Sequence, residues 1–324
     1  MQNFRGTSAL VLAVMAAAAG SPAAAQYPSQ PVRIIASAPP GTPVDIRARW
    51  VAEKLMPVLG VPVVVENKPG AGGNIGLQAA AKSAADGRTL VIVHQGTLAI
   101  NPHLYQHAGY DALADFAPIT RLMDSPLVLA VPADSPAQSV ADLVRMAKER
   151  PGQLSYGSSG IGTPPHMAAE LFGRAAGIRV AHVPYKGAAA SLADLLAGRI
   201  AYTIDSLAVH GPQIKAGRLR ALAVTSKSRL PDLPGVPTLA ESGFPGYEYV
   251  SWMGVAAPAH TPPAVIARLH DEIVRALATP EAKQWFAAQG GTPVGDTPEE
   301  FGSFIRAEYA KWGEVIRSAG IRAD

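Results

Sequence analysis

The sequence predicts an α/β fold made of two lobes. Short Val/Ile/Leu runs alternate with segments whose apolar residues recur at helical spacing, the pattern of largely parallel sheets covered by helices. The alternation comes in two sets with a break near Ser125 and Pro126. The last stretch is helical with little strand of its own to pack on. It therefore returns to the first set, and the chain crosses twice between lobes that enclose a cleft.

In chain order, Val32 to Ser37, Val61 to Val65 and Thr89 to His94 read as strands. Between the first two, Val44, Ala48, Val51, Ala52, Leu55 and Leu59 share one helical face, which makes a βαβ unit. Asn74 to Ser83 is a second helix, stopped by the Asp86-Gly87 turn. Ile119 to Met123 and Leu127 to Val131 form one strand interrupted near Ser125-Pro126, where the first crossing falls. Ser139 caps a helix running to about Glu149, and Pro151-Gly152 breaks it. The strand Leu154 to Tyr156 and a Gly-rich loop follow. Next come a helix from Met167 to Ala176, the strand Arg179 to Val183 and a helix from Ala188 to Leu196. Ile200 to Ile204 and Leu219 to Thr225 are further strands, and Leu230 to Tyr247 is an irregular, Pro-rich connection. Ser251 to Ala257 is the return strand. Pro262 to Ala278, Pro280 to Gln289 and Pro298 to Ser318 are helices, each with Pro suited to its first turn. The expected division is a leader over 1–25, a first lobe from 26–125 plus 251–324, and a second lobe over 126–250.

The leader reading rests on Arg5, the apolar run Ala9 to Ala19 and the small residues Ala23-Ala24-Ala25, an A-x-A cleavage pattern. The run is too short to span a bilayer, which needs about 17 residues or more. The mature chain is expected to start at Gln26, to be exported to a bacterial periplasm without direct membrane insertion, and to act as a monomer. The absence of cysteine excludes disulfides, thiolate catalysis, Cys-based metal sites and a lipid-bearing Cys. Lys and Arg number 28 against 25 Asp and Glu, a net charge of +3 with no basic cluster, so no nucleic-acid partner is expected.

Several strings fail as catalytic motifs when their spacing is counted. Gly70-Ala71-Gly72-Gly73-Asn74-Ile75 has Ile75 where a dinucleotide loop needs its third Gly. Gly157-Ser158-Ser159-Gly160 has Ile161 where a nucleophile elbow needs Gly. His103 and His107 have zinc-ligand spacing but no specified third ligand, so they read as surface or partly buried imidazoles. No catalytic residue, metal or cofactor is expected.

Four polar loops remain at strand ends, where ligands bind in open α/β sheets. They are Ser37 to Asp45, His94 to Thr97, Tyr156 to His166, and Asp205-Ser206 after Ile204. The first and third precede helices of different lobes, and free amides and helix dipoles make each a natural anion site. Ordinary capped βα turns have the same composition. Asp45 in the first helical turn reads as a residue that orders its loop, and Lys186 is the nearest cation to the cleft.

Beyond these loops, ordered strings extend over the mature chain. They include Tyr27-Pro28-Ser29-Gln30-Pro31, Pro39-Pro40-Gly41 with Asp45, Val64 to Gly76, Ala99-Ile100-Asn101-Pro102, Val183-Pro184-Tyr185-Lys186-Gly187, Ile214 to Thr225 and Val236-Pro237-Thr238. In these the chain resembles the Bug family, the periplasmic substrate-binding components of tripartite tricarboxylate transporters. The resemblance implies a two-lobed, type II-like periplasmic binding fold that closes on a small carboxylate and hands it to membrane transporter subunits. It implies a carboxylate held between Pro39 to Val44 and Gly157 to Thr163 with ordered waters, and Asp205 selecting the ligand's far end. The family's first loop reads Pro-Gly-Gly, whereas Thr42 follows Gly41 here. The expected ligand-binding set is Pro40, Gly41, Thr42, Pro43, Gly96, Thr97, Ser158, Ser159, Gly160, Gly162, Thr163, His166 and Asp205. The competing expectations are a periplasmic enzyme acting on an organic acid, or a receptor that feeds a sensor protein. The Glu66 to Gly76 signature reads as structural, a turn before a packed helix.

Overall fold

The structure, a computed structural model, describes residues 27–320, so the expected leader lies outside the described residues. The chain opens with β1 (Val32–Ala36), α1 (Pro43–Leu59), β2 (Val63–Asn67), α2 (Asn74–Ala81) and β3 (Thr89–His94), with β1 parallel to both β2 and β3. Ala48, Val51 and Leu55 on α1 are fully buried, and Gly60 ends the helix in the left-handed conformation at φ 70°. A π-helical turn over Gly96–Ile100 runs into α3 (Asn101–Leu104). The expected loop at Gly96 and Thr97 is therefore helical. Thr97 is wholly buried, with its hydroxyl bonded to the His94 amide and carbonyl.

β4 (Phe116–Pro132) runs 17 residues without the expected interruption. Ser125 pairs with Ser251 and Pro126 with Val250 on the neighbouring strand, which carries the ladder through the proline. Against β9 the irregularities fall earlier, between Pro118 and Thr120 and between Arg121 and Met123, and against β8 later, between Leu129 and Ala130. There follow α4 (Val140–Glu149), β5 (Ser155–Ser158), α5 (Pro164–Ala176), β6 (Ala181–Pro184), α6 (Ala188–Leu196), β7 (Tyr202–Ser206), α7 (Leu207–Lys215) and β8 (Leu219–Val224). α7 is absent from the sequence reading because Gly211 and Pro212 interrupt its apolar pattern. The last elements are β9 (Val250–Pro258), α8 (Pro263–Leu277), α9 (Pro280–Ala288), β10 (Thr292–Pro293) and α10 (Pro298–Ala319).

The strands lie in the order β2-β1-β3-β9-β4-β7-β5-β6, with β8 and β10 also on β4. One core packs α1, α8 and α9 on the first sheet through Ile34, Leu55, Leu269 and Phe286. Another runs from Val93 and Trp312 to Phe172 and Tyr202. The C-terminal helices return to the first half, α8 against α1 and β4, and α10 against β4 and the 96–100 turn.

Candidate functional site

The register of β4 brings the strand ends together. His94 pairs with Met253, which pairs with Met123, so β3 points its carboxyl end along β4 toward Asp124. From the other side, Thr203 pairs with Ala130 and Ser206 with Leu127, so β7 and its parallel neighbour β5 run toward the same place. The carboxyl ends of both parallel sets therefore converge on β4 between Met123 and Leu127. The two halves approach closely there at two glycines. A Cβ on Gly162 would lie 3.3 Å from Leu104 Cδ2, and one on Gly290 would lie 3.4 Å from Ala208 Cβ.

α1, α5 and α7 begin at this convergence, with Thr42, Thr163 and Ser206 as their cap residues, and none of the three receives a side-chain cap bond. α4, α9 and α10, which begin elsewhere, are capped by Ser139, Thr279 and Thr297, while α2, α6 and α8 follow Gly73, Gly187 and Pro262, which have no side-chain acceptor to cap with. Uncapped amides and the positive end of the helix dipole favour an anion.

In the first loop Gly41 sits at φ 79°, a conformation that favours glycine, and its amide donates to Asp45 Oδ2 at 2.9 Å. Asp45 also accepts from Asn67 Nδ2 at 2.9 Å and Arg49 Nε at 3.0 Å. Burial works to raise its pKa, but the bonds from Arg49, Gly41 and Asn67 bring it below the ordinary carboxylate value. Asp45 thus orders the loop. The Thr42 hydroxyl donates to Pro39 O at 2.7 Å and bends the loop onto itself, while Pro40 and Pro43 are exposed.

The other loop spends most of its donors internally. The Gly160 amide goes to Ser158 Oγ at 3.2 Å, the Gly162 amide to His166 Nδ1 at 3.0 Å, and the Thr163 hydroxyl to Gly160 O at 2.6 Å. Pro164 and Pro165 have no amide hydrogen to offer. Among the described residues, the Ser159, Ile161 and His166 amides have no hydrogen-bond partner. His166 is 4% exposed and its ring holds the loop. Asp205 is buried at the end of β7, and burial raises its pKa to about 6, against a bond from the Ser206 amide.

Three participants are missing from the sequence reading. Arg47 is 4% exposed, with Nε 3.3 Å from Met123 Sδ and Nη1 3.4 Å from Gln289 Oε1. It has no carboxylate partner among the described residues, and burial pulls its pKa down to about 10. Its position one turn inside α1 hid it, whereas Lys186 is exposed. His182 on β6 places Nε2 2.7 Å from the Ser158 hydroxyl. Glu308 on α10 accepts from Gln95 Nε2 at 2.9 Å, Trp312 Nε1 at 2.9 Å and Trp252 Nε1 at 3.2 Å, tying the end of β3 to the start of β9. His103 bonds through Nε2 to the Tyr309 carbonyl at 2.9 Å, away from the convergence.

A sequence model described as the tripartite tricarboxylate transporter family receptor matches residues 47–321. The chain belongs to this receptor family. Protein BugT of Bordetella pertussis, a relative within the resemblance noted above, is 38% identical over 316 residues, covering 96% of this chain and 97% of BugT. An R. palustris protein solved with adipate has a TM-score of 0.76 at 37% identity, over 91% of this chain and 99% of that one. MatC from Rhodopseudomonas palustris, solved with bound malate, has a TM-score of 0.72 at 26% identity, over 90% and 100%. The receptor-family fold is thus the two-lobed α/β fold of these periplasmic binding proteins, and no helix among the described residues is long and apolar enough to cross a membrane.

Proposed function

We propose that the protein is a non-enzymatic periplasmic receptor that captures a small dicarboxylate between two lobes and delivers it to a tripartite tricarboxylate-type membrane transporter. The observation that carries this reading is the convergence of three uncapped helix N-termini on one stretch of β4, in a chain whose relatives were solved with adipate and malate. The lobes in this reading are 26–125 with 251–324, and 126–250, hinged where β4 changes partners after Pro126. One ligand carboxylate takes the amides at the start of α1 and those of Ser159 and Ile161. Asp205 and the start of α7 face the other end. Closure follows because the ligand meets both sets of donors only when the lobes are together.

The test is titration calorimetry of refolded, ligand-stripped protein against mono-, di- and tricarboxylates, aromatic acids and amides. Stoichiometric binding of a linear dicarboxylate is expected. No heat with any acid, or turnover of a bound acid, overturns the reading. Capture of transporter subunits from membranes, enhanced by ligand, is the expected behaviour of the delivery step.

A further inference from the structure

Four rings stack behind the 158–163 loop. His166 lies on His182 at 4.1 Å and 14°, His182 on Tyr156 at 4.8 Å and 15°, and Tyr156 on Tyr202 at 5.6 Å and 24°. The two imidazoles are the loop's props. Because the Gly162 amide donates to His166 Nδ1, that nitrogen carries a lone pair and the ring proton sits on Nε2. His182 Nε2 contacts the same Ser158 hydroxyl that accepts the Gly160 amide. His166 thus fixes the Gly162 amide directly, and His182 reaches the Gly160 amide through the Ser158 hydroxyl, which also bonds the Gly160 carbonyl at 3.1 Å.

We propose that His166 and His182 are positioning residues for ligand capture: as neutral stacked rings they hold the 158–163 loop in its receptive shape, and protonation of the pair releases it. The proposal rests on the receptor reading above. A proton on His166 Nδ1 turns an acceptor into a donor that faces the Gly162 N–H, and the bond is lost. A second proton on His182 would set two cations face to face at 4.1 Å, one of them on the buried His166 ring.

The acid facing the pair is Glu170 on α5, 3.9 Å from His166 Nε2 and accepting a bond from the Tyr156 hydroxyl. It favours charge on the side of His166 away from the loop and offers the Gly162 amide nothing in exchange. Tyr156 on β5 and Tyr202 on β7 face the stack as neutral phenols, their pKa values raised by burial. Burial lowers both imidazoles to about 4; for His182 the neighbouring His166 adds to the lowering and Glu170 opposes it. With the folded value below the ordinary 6.5, a released loop takes up protons more readily than a held one. The order present above pH 6.5 is thus lost as pH falls toward about 4.

The test uses the ligand-free mature chain, so it reports on the loop separately from binding. Nitrogen-15 NMR of the imidazoles at pH 7.5 is expected to show His166 as the Nε2–H tautomer; an Nδ1–H tautomer overturns the proposal. In His166→Ala the Gly162 amide is expected to exchange about five- to tenfold faster, the equivalent of one hydrogen bond, while the Gly41 amide in the other loop is unchanged. His166→Asn places Oδ1 where Nδ1 stood and cannot titrate, so it is expected to keep Gly162 protected at pH 7.5 and also at pH 5, where the wild type loses protection. Unchanged protection in His166→Ala, or the wild-type acid loss in His166→Asn, overturns the proposal. If His166→Ala unfolds, so that Gly41 loses protection as well, the comparison of His166→Asn with wild type at pH 5 decides. Should the loop behave as expected while no acid binds in the calorimetric panel, the receptor reading fails and the role of the histidines in the loop stands.

Discussion

Asp205 carries its position in the sequence and its chemistry in the fold. A carboxylate directly after a strand is legible from the sequence alone, but its burial depends on β4 and α7 closing around it. Its pKa is raised to about 6, so between about pH 4 and pH 6 the folded protein binds more protons than the unfolded chain, and stability falls as pH rises through that window. Asp205→Asn is expected to remove this slope and to gain up to about 3 kcal/mol at neutral pH, read from urea midpoints at pH 4.5 and 7.5. An unchanged slope would show that Asp205 is not the group responsible. Arg47 was illegible for a different reason. A guanidinium becomes a buried cation, without a carboxylate partner among the described residues, only when Met123, Gln289 and the Trp285 ring pack around it, and those residues lie far away in sequence. His182, in an ordinary strand, likewise gains its role only from its stacking partner on α5.

Among the elements, the strand-end loops were readable, and their donors were not. Thr42, Thr163 and Ser206 look like helix caps in the sequence, yet none caps. Conversely, Gly160 and Gly162 look like free anion-binding amides, yet both are committed to side chains. Small polar residues make the same string whether they bond inward or outward, so composition cannot separate the two cases. The Glu66 to Gly76 signature shows close packing more plainly. A Cβ at Gly76 would fall 2.7 Å from Ser37 Cβ, 2.8 Å from Ser37 Cα and 3.0 Å from Lys68 O, at the very end of β1. Helix propensity alone favours Ala over Gly by about 1 kcal/mol, but forced overpacking against backbone costs about 1–3 kcal/mol. Because Ser37 Cα and Lys68 O are backbone atoms that cannot rotate away, the cost lies toward the upper end, and Gly76→Ala is expected to lower the melting temperature by about 2 °C or more; a rise would mean that α2 can slide away from β1.

At the scale of the whole molecule, Glu308 fastens the end of β3 to the start of β9. Besides the three donors from Gln95, Trp252 and Trp312, it accepts from Lys311 Nζ at 3.1 Å, and the Tyr249 hydroxyl completes the network on Gln95 Oε1 at 2.6 Å. Burial works to raise its pKa, but Lys311, Gln95 and Trp312 bring it below the ordinary 4.5, so the stability it contributes is present above pH 4.5 and lost in more acid solution. Glu308→Ala leaves these donors unmatched and is expected to cost about 3 kcal/mol, measured by urea denaturation at pH 7. A loss under about 1 kcal/mol would show that the network does not hold β3 to β9. Two crossings between two alternating sets were legible from strand order, but the sharing of β4 by both sets was not, because Pro126 looks like an end. That sharing bears on how the chain is made. The strand that sits between β3 and β4, β9, begins only at Val250. A nascent chain that stops short of it has a gap in the middle of its sheet and two unpaired strand edges. An N-terminal fragment that stops before Val250 lacks the strand that joins β3 to β4, so the first half completes its sheet only after most of the polypeptide has been synthesised.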